Sequence, residues 1–160
     1  MKQAVPLLLV ALVLSGCVGQ HEAQMERGWV DRAVLEGREH HEFKARYDTV
    51  QVEQRFVQMI RNVYAGVSTL VFLGTWCSDS QREVPRFLKA ADEAGIPPES
   101  IKLYALDRTK KSDDGLTEQY RIERVPTFIF LKNGEEIGRI IEVPQVNVEA
   151  DMVMILAKAK

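Results

Sequence analysis

Thr69 to Ser80, T-L-V-F-L-G-T-W-C-S-D-S, is the stretch on which the reading of this chain turns. Its apolar run, Leu70 to Leu73, is short and rich in β-formers, so it predicts a buried strand that Gly74 and Thr75 terminate. Ser78, Asp79 and Ser80 favour helix N-termini, and Val84, Phe87, Leu88 and Ala91 recur at helical spacing in the segment that runs to Ala94. Trp76 and Cys77 therefore sit where a central strand passes into a helix. Unpaired N–H groups and the helix dipole at such a point favour an anion, which for cysteine is the reactive thiolate.

On the N-terminal side, Thr49 is placed to cap a helix through Tyr64, because Val52, Phe56, Val57, Met59, Ile60 and Val63 form a helical apolar stripe and Gly66 follows it. Beyond the Cys77 helix, Gly95 to Pro98 reads as a turn and Ile101 to Leu106 as a second strand, joined to the first by a parallel βαβ crossover. Lys110 to Gly115 is a polar loop and Leu116 to Ile122 a short helix. Thr127 to Leu131, the turn Lys132-Asn133-Gly134 and Glu135 to Ile141 form an antiparallel hairpin. Val148 to Ala159 closes the chain as a helix with Val148, Met152, Ile155, Leu156 and Ala159 inward. The order α-β-α-β-α-β-β-α implies an α/β fold, a central mixed sheet flanked by helices on both faces.

These residues resemble the thioredoxin family. W-C-S-D-S is similar to its W-C-x-x-C site with Ser80 in place of the second cysteine, and Pro85 stands where the family has a helix-kinking proline. Tyr120 to Gly134, Y-R-I-E-R-V-P-T-F-I-F-L-K-N-G, resembles the family's second half, and the likeness spans Thr49 to the C-terminus. It implies a cis bond between Val125 and Pro126, facing Cys77, with the backbone of Val125 offering hydrogen bonds to an extended substrate segment. It also implies that Trp76 walls the same groove, that Ser78, Asp79 and Ser80 support the site, and that Glu142 replaces a rim glycine and alters the groove's charge and access. Val71 stands where the family has a buried acid that assists the resolving cysteine. Ser80 cannot resolve a mixed disulfide, but its hydroxyl is available to hydrogen-bond the Cys77 thiolate, while the charge of Asp79 opposes that thiolate unless it points to solvent.

Met1 and Lys2 precede an apolar run, Ala4 to Leu14, that is too short to span a bilayer. Leu14-Ser15-Gly16-Cys17 then matches a lipobox, so residues 1–16 are expected to be a lipoprotein signal peptide and Cys17 the lipidation site. A plain secretory peptide or an uncleaved anchor is the alternative. Residues 17–33 are expected to be a tether and 34–160 the domain. This places the protein in a bacterial cell envelope, lipid-anchored and facing the periplasm. Val18 is not the aspartate associated with inner-membrane retention, which favours the outer membrane. With Cys17 acylated, Cys77 is the one thiol of the mature chain, and an internal disulfide is impossible. An unpaired thiol in an oxidising compartment is either buried and inert or present to react; its place after Trp76 points to reaction.

The chain of 160 residues without its signal suffices for one core, and a net charge of −2 with a pI near 6.0 gives no basic patch for nucleic acid. The cluster Arg38-Glu39-His40-His41-Glu42 reads as a solvated polar segment rather than a metal site, since adjacent histidines point to different sides and no third ligand lies nearby; His21 stands alone in the tether. Phe43 and Tyr47, four apart, are spaced to dock that segment on the domain. No cofactor and no metal are expected.

The functional expectation is a membrane-anchored thiol protein that uses Cys77 for disulfide exchange, isomerisation or mixed-disulfide capture. Its partners would be cysteine-containing or disulfide-bonded proteins, with a small thiol or separate reductant completing each cycle. A non-catalytic peptide-binding or chaperone-like module with an incidental Cys77 is the alternative. A peroxidase comes third, and no arginine or threonine constellation for activating a peroxide is recognisable.

Overall fold

Val67–Leu73 (β2) is the central strand of a five-stranded mixed sheet in the computed structural model, which describes residues 25–159. The lipobox, Cys17, Val18 and His21 lie outside the described residues. β2 pairs in parallel with β3 (Ile101–Ala105) and antiparallel with β4 (Thr127–Lys132). Between the two parallel strands runs α4 (Ser78–Ala94), whose C-terminus is closed by Gly95 in the left-handed conformation, φ 75°, that glycine adopts without steric cost. β5 (Glu135–Ile141) forms the hairpin with β4, and β1 (Gly28–Val30) forms the opposite edge against β3, giving the order β1-β3-β2-β4-β5. Short helices α1 (Arg32–Leu35) and α2 (His41–Thr49) precede α3 (Gln54–Val63); α5 (Leu116–Gln119) and α6 (Val148–Leu156) complete the helices.

The alternation along β2 divides the core in two. Val67, Val71 and Leu73 face a large apolar cluster with Val57 and Ile60 of α3, Val84, Phe87 and Leu88 of α4, and Met152 and Leu156 of α6. Leu70 and Phe72 face the other way, onto Tyr104, Leu106, Ile122, Val125 and Ile129. Trp76 and Cys77 pack against this second cluster, so both the sheet and its thinner face set the site.

Glu149 is completely buried yet paired: Arg86 donates from Nε to Oε2 at 2.8 Å and from Nη2 to Oε1 at 2.6 Å, and the Glu53 N–H donates to Oε1 at 3.0 Å. These bonds tie α6, α4 and the start of α3 together. Without them the buried carboxylate would be strongly unfavourable.

Four expectations change. Thr49 does not cap a helix; its hydroxyl donates to the Ala45 carbonyl at 2.8 Å, as at the end of a helix, and α3 starts only after Glu53. Val52 is buried but precedes that helix, and Met59 is exposed rather than part of the inner stripe. The domain also begins before residue 34: residues 28–33, expected as tether, include β1 and the start of α1, held by the β1–β3 ladder and by Arg32, whose guanidinium bridges Asp92 and Glu36. Tyr47 donates to Asp92 at 2.6 Å and Phe43 is buried, so this segment docks through both aromatic residues. His40 is not solvated. It is buried, its Nε2 lies 3.1 Å from Glu26 Oε1, and its ring meets Phe43 edge-on; His41 is exposed.

Candidate active site

Gly74 to Cys77 turn the chain from the C-terminal end of β2 into α4. The Cys77 N–H donates to the Gly74 carbonyl at 3.0 Å, and the Gln81 N–H donates to the Cys77 carbonyl at 2.9 Å, which makes Cys77 the N-cap residue. Gln81 Nε2 reaches back to the Thr75 carbonyl at 2.8 Å and fixes the loop from the other side. A Cβ at Gly74 would stand 2.8 Å from Cε2 of Trp76, so the indole lies where only glycine leaves room. Its Nε1 donates to the Leu106 carbonyl at 2.8 Å, just past the end of β3. Parallel strands carry their C-terminal ends to the same edge, which is why residues 106–108 meet residues 74–77.

The bond between Val125 and Pro126 is cis. Both residues are buried, and the Val125 carbonyl accepts the Cys77 thiol at 3.3 Å. Cys77 is half-buried and unpaired. The expected juxtaposition of Cys77, Trp76, Val125 and Pro126 is therefore present.

Ser80 differs from expectation. It is completely buried, and its hydroxyl accepts the Gly74 N–H at 3.1 Å instead of bonding Cys77. The third residue of α4 faces inward, where the strand end leaves that N–H without a ladder partner. Ser78 is exposed at the first position of the helix. Asp79 is ion-paired with Arg82 Nη2 at 2.6 Å, so its charge is compensated rather than simply turned to water. Arg82 also holds the buried Glu83 through Nε at 2.6 Å, and these bonds, that to Glu83 first, raise the guanidinium pKa above its ordinary value.

Glu142 occupies the left-handed region, φ 59°, which explains why glycine suits this position. Its N–H donates to the Pro126 carbonyl at 2.6 Å, and its carboxylate pairs with Arg124 Nη1 at 2.6 Å. The two residues bracket the cis-proline. Val71, where the family has its acid, is fully buried among apolar side chains.

Arg82, Arg124, Leu106 and Arg108 belong to this rim, although the sequence reading did not single them out. Arg108 lies with its guanidinium 4.8 Å from the Trp76 ring. The readable signal was topological: residues directly after β3 emerge at the same edge as the W-C segment.

The family whose model is described as thioredoxin matches residues 31–158. The chain belongs to the thioredoxin family. Protein disulfide-isomerase of Oryctolagus cuniculus is 34% identical over 64 residues, covering 40% of this chain and 12% of the relative. A thioredoxin-like protein of Acanthamoeba polyphaga mimivirus is 26% identical over 88 residues, covering 55% of this chain and 61% of the relative. The chain thus spans less than two thirds of either relative. A crystal structure of a protein of unknown function from Pseudomonas aeruginosa shares the fold with a TM-score of 0.60 at 16% identity, over 82% of this chain and 92% of that one. The family match begins before Thr49, in agreement with the docking of α1 and α2 onto α4. Thiol–disulfide chemistry is the function to which family membership points.

Proposed function

We propose that this thioredoxin-family protein acts outside the cytoplasm, tethered to a membrane through Cys17, and works through the single thiol of Cys77. The Cys77 thiolate attacks one sulfur of a substrate disulfide, a Cys77–substrate disulfide forms, and the other sulfur leaves as a thiolate that takes up a proton. An external thiol, a small molecule or a separate reductant, then attacks the mixed disulfide and restores Cys77. The observation that carries this reading is the free Cys77 thiol at the start of α4, 3.3 Å from the Val125 carbonyl, while the position of a resolving cysteine holds buried Ser80. Whether the product is a reduced, rearranged or captured protein depends on which thiol arrives second.

The lipobox supports a lipid anchor, with the outer membrane favoured. Among the described residues no helix is long and apolar enough to cross a membrane. The deciding experiment is thiol trapping in the native compartment, followed by mass spectrometry of proteins disulfide-linked to Cys77. Adducts lost in Cys77→Ala support the reading, and their absence in the wild type overturns it. Intact-mass measurement tests the anchor separately: a mature chain with unmodified Cys17 contradicts it.

A second reading is favoured by one feature of the groove. The Val125 N–H has no hydrogen-bond partner among the described residues, so an extended peptide has a backbone donor to meet whether or not a thiol is present. A non-catalytic peptide-binding module would retain its partner in Cys77→Ala.

A further inference from the structure

The charges around Cys77 are not evenly compensated. Glu142 is paired with Arg124, Asp107 and Asp113 share Arg27, and Asp79 and Glu83 share Arg82. Arg108 has no carboxylate partner among the described residues; its contact is with the Trp76 ring, at 4.8 Å from the centroid. A guanidinium stacked on an aromatic face keeps its N–H edge free for an anion, and the planar fork matches a carboxylate. Trp76 is itself fixed by its bond to the Leu106 carbonyl and by close packing on Gly74, so the cation rests on a rigid platform beside the nucleophile. A groove that starts at Thr109, the next residue in the chain after Arg108, is lined by Lys110, Lys111 and Arg121 together with Glu118 and Glu123. Within α4, just after Cys77, Asp79 and Glu83 exceed Arg82 by one formal charge.

We propose that Arg108, held over Trp76, is a specificity determinant that favours disulfides carrying a carboxylate beside the sulfur that Cys77 attacks. The inference rests on Cys77 being the nucleophile and adds a substrate class to that reading: acidic cystine segments or anionic small disulfides. In the exchange, the Cys77 thiolate bonds to one probe sulfur, the probe S–S bond breaks, and the other half leaves as a thiolate. Arg108 moves no proton; it lowers the cost of bringing an anion to an anionic nucleophile. The whole chain carries a net charge of −2, so a preference for anions has to arise locally.

The test uses the mature full-length protein and follows modification of the Cys77-containing peptide by mass spectrometry. Two disulfide probes are compared, anionic 5,5′-dithiobis(2-nitrobenzoate) and neutral 4,4′-dithiodipyridine, with oxidised glutathione and cationic cystamine as a second pair. Removing one unit charge about 6 Å from the incoming carboxylate in water corresponds to about a threefold change in rate at low salt. Arg108→Gln should accordingly lower the anionic-to-neutral rate ratio about threefold, and Arg108→Glu about tenfold. Arg108→Lys should keep most of the ratio. High salt should lower the wild-type ratio by about the same threefold factor, a measurement that needs no variant to fold. Arg55, a cation likewise stacked on an aromatic ring, that of Phe56, serves as the charge control. A ratio unchanged in Arg108→Gln, or changed equally by Arg55→Gln, overturns the inference. Modification of Cys77 by both probes with no dependence on Arg108 leaves the monothiol reading standing, whereas failure of every probe to modify Cys77 removes both.

Discussion

The Cys77 thiol donates to the main-chain oxygen of Val125 across a 3.3 Å gap, so the nucleophile and the residue before the cis-proline are already in contact in the free protein. A substrate strand laid along Val125 would meet that sulfur directly. Among the described residues Cys77 is the one cysteine, so on the proposed mechanism attack stops at the mixed disulfide. Wild-type protein should therefore accumulate adducts with disulfide-bonded proteins. Insulin reduction should be weak until a small thiol is added, and Cys77→Ser should lose both trapping and thiol-assisted turnover. Equal insulin reduction by wild type and Cys77→Ser, without added thiol, would remove the catalytic reading.

Glu142 holds a left-handed backbone conformation at φ 59° while pairing with Arg124. For a residue with a Cβ this conformation costs roughly 1 kcal/mol or more, and a surface ion pair offsets about 0.2–1 kcal/mol. Glu142→Gly should thus be neutral to slightly stabilising, by up to about 1 kcal/mol, and Glu142→Val should destabilise by roughly 1 kcal/mol or more because a β-branched residue fits this region worst. The urea unfolding midpoint should fall in Glu142→Val and hold or rise in Glu142→Gly; a destabilised Glu142→Gly would mean that the Arg124 contact outweighs the backbone.

Much of the architecture was legible because β2, α4 and the β4–β5 hairpin announce themselves locally. Leu70 to Leu73 is an apolar run, Ser78 to Ser80 a helix start, and Lys132-Asn133-Gly134 a turn. What stayed hidden is tertiary. Gly28–Val30 has no apolar alternation long enough to predict a strand, and only its ladder to β3 makes it one. His40 looked solvated because its partner, Glu26, is fourteen positions away, and Ser80 looked free to reach Cys77 because the Gly74 N–H that its hydroxyl accepts loses its ladder partner only where the strand ends. The sequence placed Cys77, Trp76, Val125 and Pro126 at one site through family likeness, whereas Arg108 joins them only when the two parallel strands are set side by side.

The Arg86–Glu149 pair should make the domain acid-sensitive. Burial pushes the Glu149 carboxyl up, but hydrogen bonds from Arg86 and the Glu53 N–H outweigh it and hold the group below its ordinary value of 4.5. A carboxylate with a depressed folded pKa contributes stability that is complete above its unfolded value and is lost as pH falls through the folded one. Stability should therefore decline below about pH 4.5, and part of that slope should vanish in Glu149→Gln. The same variant leaves Arg86 without its counter-charge and should cost about 3 kcal/mol near neutral pH. An acid limb of the unfolding curve identical in wild type and variant would assign the acid sensitivity to other groups.

Restoring the second cysteine tests the geometry of the site most directly. Ser80 is three residues after Cys77, at the inward-facing third position of α4, and Ser80→Cys rebuilds W-C-x-x-C on a strand, helix start and cis-proline that are already in place. The sulfur is a poorer acceptor than the hydroxyl for the Gly74 N–H, so the reduced variant should lose about 1 kcal/mol of stability. Oxidation should then form the 77–80 disulfide, and the reduced variant should reduce one insulin disulfide per 77–80 disulfide formed, without an added small thiol. The gain should be partial. Val71 is fully buried among apolar side chains, leaving the new thiol without an acid to assist it, and Val71→Asp introduces a carboxyl whose burial costs several kcal/mol. The double variant Val71→Asp, Ser80→Cys should accordingly be less stable yet faster per folded molecule than Ser80→Cys alone. A Ser80→Cys protein that folds but never closes the 77–80 disulfide would contradict the placement of these two residues at one helix start.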